Sequence, residues 1–174
     1  DPAGLVSRLV RKVQVYKDCP KDMVSLFDGD RAFCIDRYEF PNLKGEMPAA
    51  GVSWVEAVMK CRSSGKELCS YSEWKAACSN SGRNEYAYEG TYDEELCNTA
   101  SEGIEKSGKR KECGSGTGVY DLTGNLWEWV SDRESGYNKI AGGDYTYGKN
   151  AKCDAVFPEL LSNRGKSVGF RCCK

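Results

Sequence analysis

A single loop-rich α+β domain stapled by disulfides is what the sequence predicts, and three observations predict it. Ten cysteines stand at 19, 34, 61, 69, 78, 97, 113, 153, 172 and 173, and the 174 residues contain no histidine. Zinc sites need thiolates two to four residues apart, commonly beside imidazoles, whereas the closest pair here is the adjacent Cys172-Cys173. An even count at wide spacings reads instead as a disulfide framework made in an oxidising compartment. A secreted, periplasmic or cell-surface location is therefore expected. The second observation is a pair of short helical segments, each opened by a Ser-x-x-Glu box and each carrying a cysteine inward. The third is what surrounds them: brief strand-like runs broken by nineteen glycines, the pattern of small sheets joined by tight turns.

Length and charge narrow the function classes. A chain of 174 residues fits one domain. Its 25 basic and 26 acidic residues leave a net charge of −1, so no bulk field draws it to nucleic acid or an anionic membrane. No apolar run is long enough to span a bilayer.

The elements follow in chain order. Residues 1–18 carry Leu5, Val6, Leu9, Val10 and Val13 at helical spacing with Arg8, Arg11, Lys12 and Lys17 interleaved. This is an amphipathic helix or arm, either docking a partner or packing on its own domain. Residues 19–174 form the domain proper. "DMVSLFDGDRAFCIDRYEF" reads as two strands joined at Asp28-Gly29-Asp30, and a bridge between Cys19 and Cys34 would staple that hairpin. In "SWVEAVMKC" Ser53 caps a helix and Glu56 completes the capping box, with Trp54, Ala57, Val58 and Cys61 facing inward. "SYSEWKAAC" repeats the device with Ser70, Glu73, Trp74 and Cys78. From Ser79 to Gly118 the chain is polar and loop-like, with Cys97 and Cys113 as its tether. The tail reads as short strands and turns. On a strand, Cys172 and Cys173 point to opposite faces, so they bridge to different partners.

Five segments in order carry a resemblance: "CIDRYEFPN", "GVSWVEAVMKCRSSGKELCSYSEWKAAC", "GVYDLTGNLWEWVSD", "AGGDY" and "GFRCC". Together they are similar to the formylglycine-generating enzyme family, also called the sulfatase-modifying factor domain. The resemblance implies a C-type lectin-like α+β fold with two short helices, small antiparallel sheets and long loops. It also implies the pairings Cys61-Cys172 and Cys78-Cys153, beside which Cys69-Cys173 and Cys97-Cys113 stand as candidates, since sequence alone does not fix connectivity.

Two metals come with the family. The resemblance places a structural calcium at Asp121, Gly124, Asn125, Leu126 and Glu128, where carboxylates and turn carbonyls supply hard oxygens. Without a metal, Asp121 caps the turn, Glu128 pairs with an arginine, and Trp127 and Trp129 simply pack. A second, weaker calcium position involves Asn98 and Thr99. The family's catalytic copper needs two thiolates five positions apart after the "GG-S" segment. In "AGGDYTYGKNAKC" Tyr147 and Lys152 stand near those places, with Cys153 one step on. One cysteine does not replace two, so no copper is expected. The lack of histidine also removes Ser-His and Cys-His nucleophiles and any close likeness to the family's histidine-iron branch. The lectin sugar motifs are missing too, so carbohydrate binding is not expected.

The reading that follows is a non-catalytic extracytoplasmic binding or assembly module with a protein partner or a second copy. Tyr145, Tyr147 and Lys149 are its candidate recognition surface. The alternative is a formylglycine-forming oxidoreductase with a displaced site.

Overall fold

The computed structural model describes residues 17–114 and 116–174. The expected helix within residues 1–18 lies almost wholly outside the described residues.

Both capping boxes form. Helix α1 spans Trp54–Ser63: the Ser53 hydroxyl accepts from the Glu56 N–H, and the Glu56 carboxylate accepts from the Ser53 N–H. Helix α2 spans Tyr71–Cys78 and uses Ser70 and Glu73 in the same way. These caps satisfy backbone donors that a short helix otherwise exposes, and they set each helix so that its cysteine is buried. Cys61, Trp74 and Cys78 are each at most 1 % exposed.

Among the described residues, two four-stranded sheets complete the domain. In the first, β1 (Met23–Asp28) and β2 (Arg31–Asp36) form the expected hairpin, Asp28 pairing with Arg31 across Gly29-Asp30. Adding β3 (Glu67–Leu68) and β8 (Cys172–Cys173) gives the order β1-β2-β8-β3. The second contains β4 (Trp127–Glu134), β5 (Tyr137–Ala141), β6 (Val156–Glu159) and β7 (Val168–Phe170), in the order β6-β5-β4-β7. One pairing departs from the antiparallel expectation. Strands β4 and β7 run parallel, with Trp127 beside Val168 and Trp129 beside Phe170. A parallel neighbour needs a long crossover, and the intervening β5, β6 and loops supply it.

Strand β4 divides the core. Its Trp127 and Trp129 face Val52, Ala57, Cys61, Ile140, Val168 and Phe170. Val130 faces the other way, onto Phe33, Ile35, Trp74 and Leu122. Period-two alternation therefore sends the two tryptophans to one side and Glu128 to the other. Trp129 is 1 % exposed and donates its indole N–H to the Val52 carbonyl at 2.9 Å.

Five disulfides tie these layers: Cys19–Cys34, Cys61–Cys172, Cys69–Cys173, Cys78–Cys153 and Cys97–Cys113. They join the residues that the family resemblance and the loop spacings paired. Adjacent Cys172 and Cys173 do point to opposite faces, one reaching α1 and the other the start of the α2 segment.

Candidate functional site

Two features of one region carry the functional argument: the turn at residues 118–129 and the segment at 144–153 that packs beside it.

The turn is built on backbone that few side chains tolerate. Asp121 and Asn125 both adopt left-handed φ values, 62° and 61°, a region open to Asp and Asn because their short side chains hydrogen-bond locally. Gly124 is required more strictly. Its φ is 78°, and a Cβ there would sit 2.2 Å from the Asn98 carbonyl oxygen. That contact is the backbone of loop 98–108 pressed against the turn.

Asn125 knots the two together. Its N–H donates to the Asn98 carbonyl at 2.7 Å, and its amide oxygen accepts from the Asn98 side chain at 2.9 Å and the Glu105 N–H at 2.8 Å. Its amide nitrogen donates to Glu39 at 2.8 Å. Glu39 is fully buried and accepts a second bond from Ser107 at 2.8 Å. Burial, with Asp121 and Glu128 nearby, holds the Glu39 carboxyl well above its usual range. The Asp121 carboxylate accepts from the Gly108 N–H at 2.6 Å, and burial raises its pKa to about 6.

Glu128 meets a cation of the chain's own. Arg171, 0 % exposed, places its Nε 2.7 Å from Glu128 Oε2 and its Nη2 2.6 Å from Oε1. The Trp74 indole N–H donates to the same carboxylate at 2.9 Å. Burial opposes the Arg171 charge, but Glu128 beside it prevails and raises its pKa.

The calcium shell implied by the resemblance can now be tested against its donors. Glu128 turns both oxygens to Arg171, Asp121 holds the Gly108 amide, and Asn125 has its side-chain oxygen and carbonyl engaged, the latter by the Tyr145 N–H. Gly124 and Leu126 could offer only carbonyls. At the second position the Asn98 side-chain oxygen accepts from Ser101 at 2.6 Å, its carbonyl from Asn125, and the Thr99 hydroxyl meets Tyr92. Among the described residues no group of three or more Asp, Glu, Cys or His side chains is arranged to hold a metal ion. As placed, these residues do not fit a shell of six to eight oxygens. The physical reason is that donors of the chain already stand at both Glu128 oxygens, at Asp121 Oδ2 and at the side-chain oxygens of Asn125 and Asn98.

The second feature begins at Gly143, where the φ of 90° and the 2.8 Å that would separate an added Cβ from the Tyr147 ring exclude a side chain. The backbone beyond it is anchored on both sides. Ser101 N–H donates to the Tyr145 carbonyl, Gly148 N–H to Thr99, Tyr86 hydroxyl to Lys149, and Cys153 N–H to Glu85. Tyr147 stands edge-on to Trp127, with ring centres 4.8 Å apart, and Phe157 lies 5.5 Å from Trp127. Tyr145 and Tyr147 are half-buried, Lys149 is exposed, and Phe157 is 46 % exposed. Lys152 pairs with Glu85. Cys153 is bonded to Cys78, and no free cysteine remains among the described residues.

The family described as sulfatase-modifying factor enzyme 1-like domain matches residues 34–174. The chain belongs to that family. It is 26 % identical to a protein named formylglycine-generating enzyme from Mus musculus, an alignment covering 72 % of this chain and 43 % of the mouse protein. The chain thus spans less than half the length of that relative. By fold, the sulfatase-modifying factor domain described here is similar to PvdO from Pseudomonas aeruginosa, with a TM-score of 0.69 at 14 % identity over 94 % of this chain and 98 % of PvdO. It is also similar to the P3c variant of the Major Tropism Determinant, with a TM-score of 0.68 at 16 % identity over 89 % of this chain and 52 % of the other. These likenesses establish the C-type lectin-like, loop-rich α+β fold.

Sequence reasoning brought Asp121, Gly124, Asn125, Leu126 and Glu128 to one turn, and the structure puts Asn98 against it and Tyr145 beside it. It missed Glu39 and Trp74 as partners of that turn, and the unnamed arginine it offered to Glu128 is Arg171. A signal was present: each charged member interrupts an apolar or aromatic run, "RYEF" and "VGFRCC". Charged residues are almost never fully buried unless paired.

Proposed function

We propose that this chain is a non-catalytic binding or assembly module that works outside the cytoplasm. The observation that carries this reading is the state of Cys153. It is bonded to Cys78, and the two places where the family resemblance puts copper-binding thiolates hold Tyr147 and Lys152. A soft Cu(I) centre needs a pair of thiolates. A phenol is a hard oxygen, and a lysine engaged with Glu85 is a cation.

What the fold keeps is a rigid mount. The segment carrying the chemistry in the family's enzymes is here fixed by hydrogen bonds along its backbone, and it presents Tyr145, Tyr147 and Lys149 beside the Trp127–Phe157 pair. Loops on a fixed scaffold are where recognition normally resides. A tropism determinant shares the scaffold, which supports a recognition role without fixing it, since a fold does not set function. Five disulfides support an oxidising location. The partner is a protein surface or a second copy of the chain.

The test is an assay on a sulfatase-derived cysteine peptide with copper and a mild reductant. The peptide mass is expected to stay unchanged. Conversion to the aldehyde that disappears on Cys153→Ser would overturn the proposal in favour of a formylglycine-type oxidoreductase.

A further inference from the structure

We propose that Arg171 is the built-in cation of the central turn, and that this domain folds and holds its loops without calcium. The inference stands on geometry and is independent of what the surface binds.

A structural ion earns its place by gathering oxygens from distant parts of the chain around one positive charge. Arg171 does this. Its guanidinium meets both Glu128 oxygens at 2.7 and 2.6 Å, the Tyr120 carbonyl at 2.9 Å and the Asp36 carbonyl at 3.3 Å. Those four oxygens come from β4, the turn itself and the end of β2, while the arginine comes from the link between β7 and β8. The fork of five N–H donors suits this arrangement, and the guanidinium stays charged in proteins.

The remaining work of a metal, clamping loop 98–108 to the turn, is done by hydrogen bonds among the chain's own groups. Gly108 donates to Asp121, Glu105 and Asn98 donate to Asn125, and Asn125 donates to Glu39. The Gly124 backbone touches Asn98 closely enough to leave no room even for a methyl group. For a divalent ion to use Glu128, that carboxylate would have to give up an oxygen bonded to a buried guanidinium. The ion would then sit close to that like charge at low dielectric, where repulsion is strong.

The experiment uses the chain as it exists. Protein treated with a chelator and desalted is melted with millimolar calcium and with chelator, following tryptophan fluorescence, to which Trp74 on Glu128 contributes. Bound calcium content is measured by elemental analysis. A ligand held by the native state alone raises the melting temperature, so the proposal expects the two melts to coincide within about 1 °C, with no calcium retained. A rise of more than about 3 °C on adding calcium, or one calcium retained per chain, would overturn it. Glu128→Gln adds a second arm. Because it strands the guanidinium, it is expected to lower the melting temperature equally in both buffers, and loss of folding in both agrees with that. A loss confined to the calcium buffer would instead make Glu128 a metal ligand.

Discussion

The central turn and the segment at 144–153 lie side by side and are fixed by different balances of contact. In the turn the side chains do the fixing. Glu39, Asn125, Glu128 and Arg171 are each at most 2 % exposed and pair with one another or with backbone. In the segment most anchors are on the backbone, through Thr99, Glu85, Ser101 and Tyr86, with the Cys78–Cys153 bridge and the Lys152–Glu85 pair at its end, and Lys149 is left at the surface. The difference teaches where change is tolerated. A buried polar group without its partner costs the full desolvation penalty, so the turn admits little variation. Surface positions such as Lys149, whose side chains hold nothing in place, can vary without loosening that backbone.

The largest effect that distinguishes the regions is expected from the buried pair. Arg171→Ala leaves Glu128 charged and unpaired and should cost about 3–5 kcal/mol in denaturant unfolding. Trp129→Ala, which empties the other side of β4, should cost a similar ~3–5 kcal/mol. A near-wild-type midpoint in either variant would remove the turn from the centre of the fold. Next comes Cys78→Ser with Cys153→Ser. Opening a bridge that closes 75 residues should cost about 2–5 kcal/mol without creating activity on a cysteine peptide.

A smaller effect concerns Asp121. Its pKa is about 6 in the fold against about 3.9 for an ordinary aspartate, so its ionised form is disfavoured by burial. The group therefore contributes stability at low pH that is lost as pH rises from about 4 through about 6. Asp121→Asn keeps an acceptor for Gly108 and suits the left-handed backbone. It should raise stability at pH 7.5 by up to ~2 kcal/mol, and the gain should fade as pH falls from 6 towards 4. A variant less stable at every pH would show that the charge is needed. The smallest effect is expected at Lys149, where Lys149→Ala should change stability by less than about 0.5 kcal/mol while weakening capture of a native partner.

Much of this was legible in the sequence because local rules act alone on it. The helices were announced by Ser53-Glu56 and Ser70-Glu73, and the hairpin by Asp28-Gly29-Asp30. The pairing of Glu128 was not legible, since choosing between an ion and Arg171 depends on two segments 43 residues apart meeting. The parallel β4–β7 contact escaped for the same reason, because strand alternation reports burial and says nothing of a neighbour's direction. The proposed recognition surface was legible as composition only. That Tyr147 leans on Trp127 and Phe157 is a fact of tertiary packing.

The account rests on Cys153 being committed to structure. The most direct measurement is therefore a thiol count: the unreduced, denatured protein is alkylated and its mass determined. All ten cysteines are expected in disulfides, so no label should be added, and peptide mapping should join Cys78 to Cys153. Two labelled thiols with Cys153 among them would contradict the account and return the segment to redox chemistry.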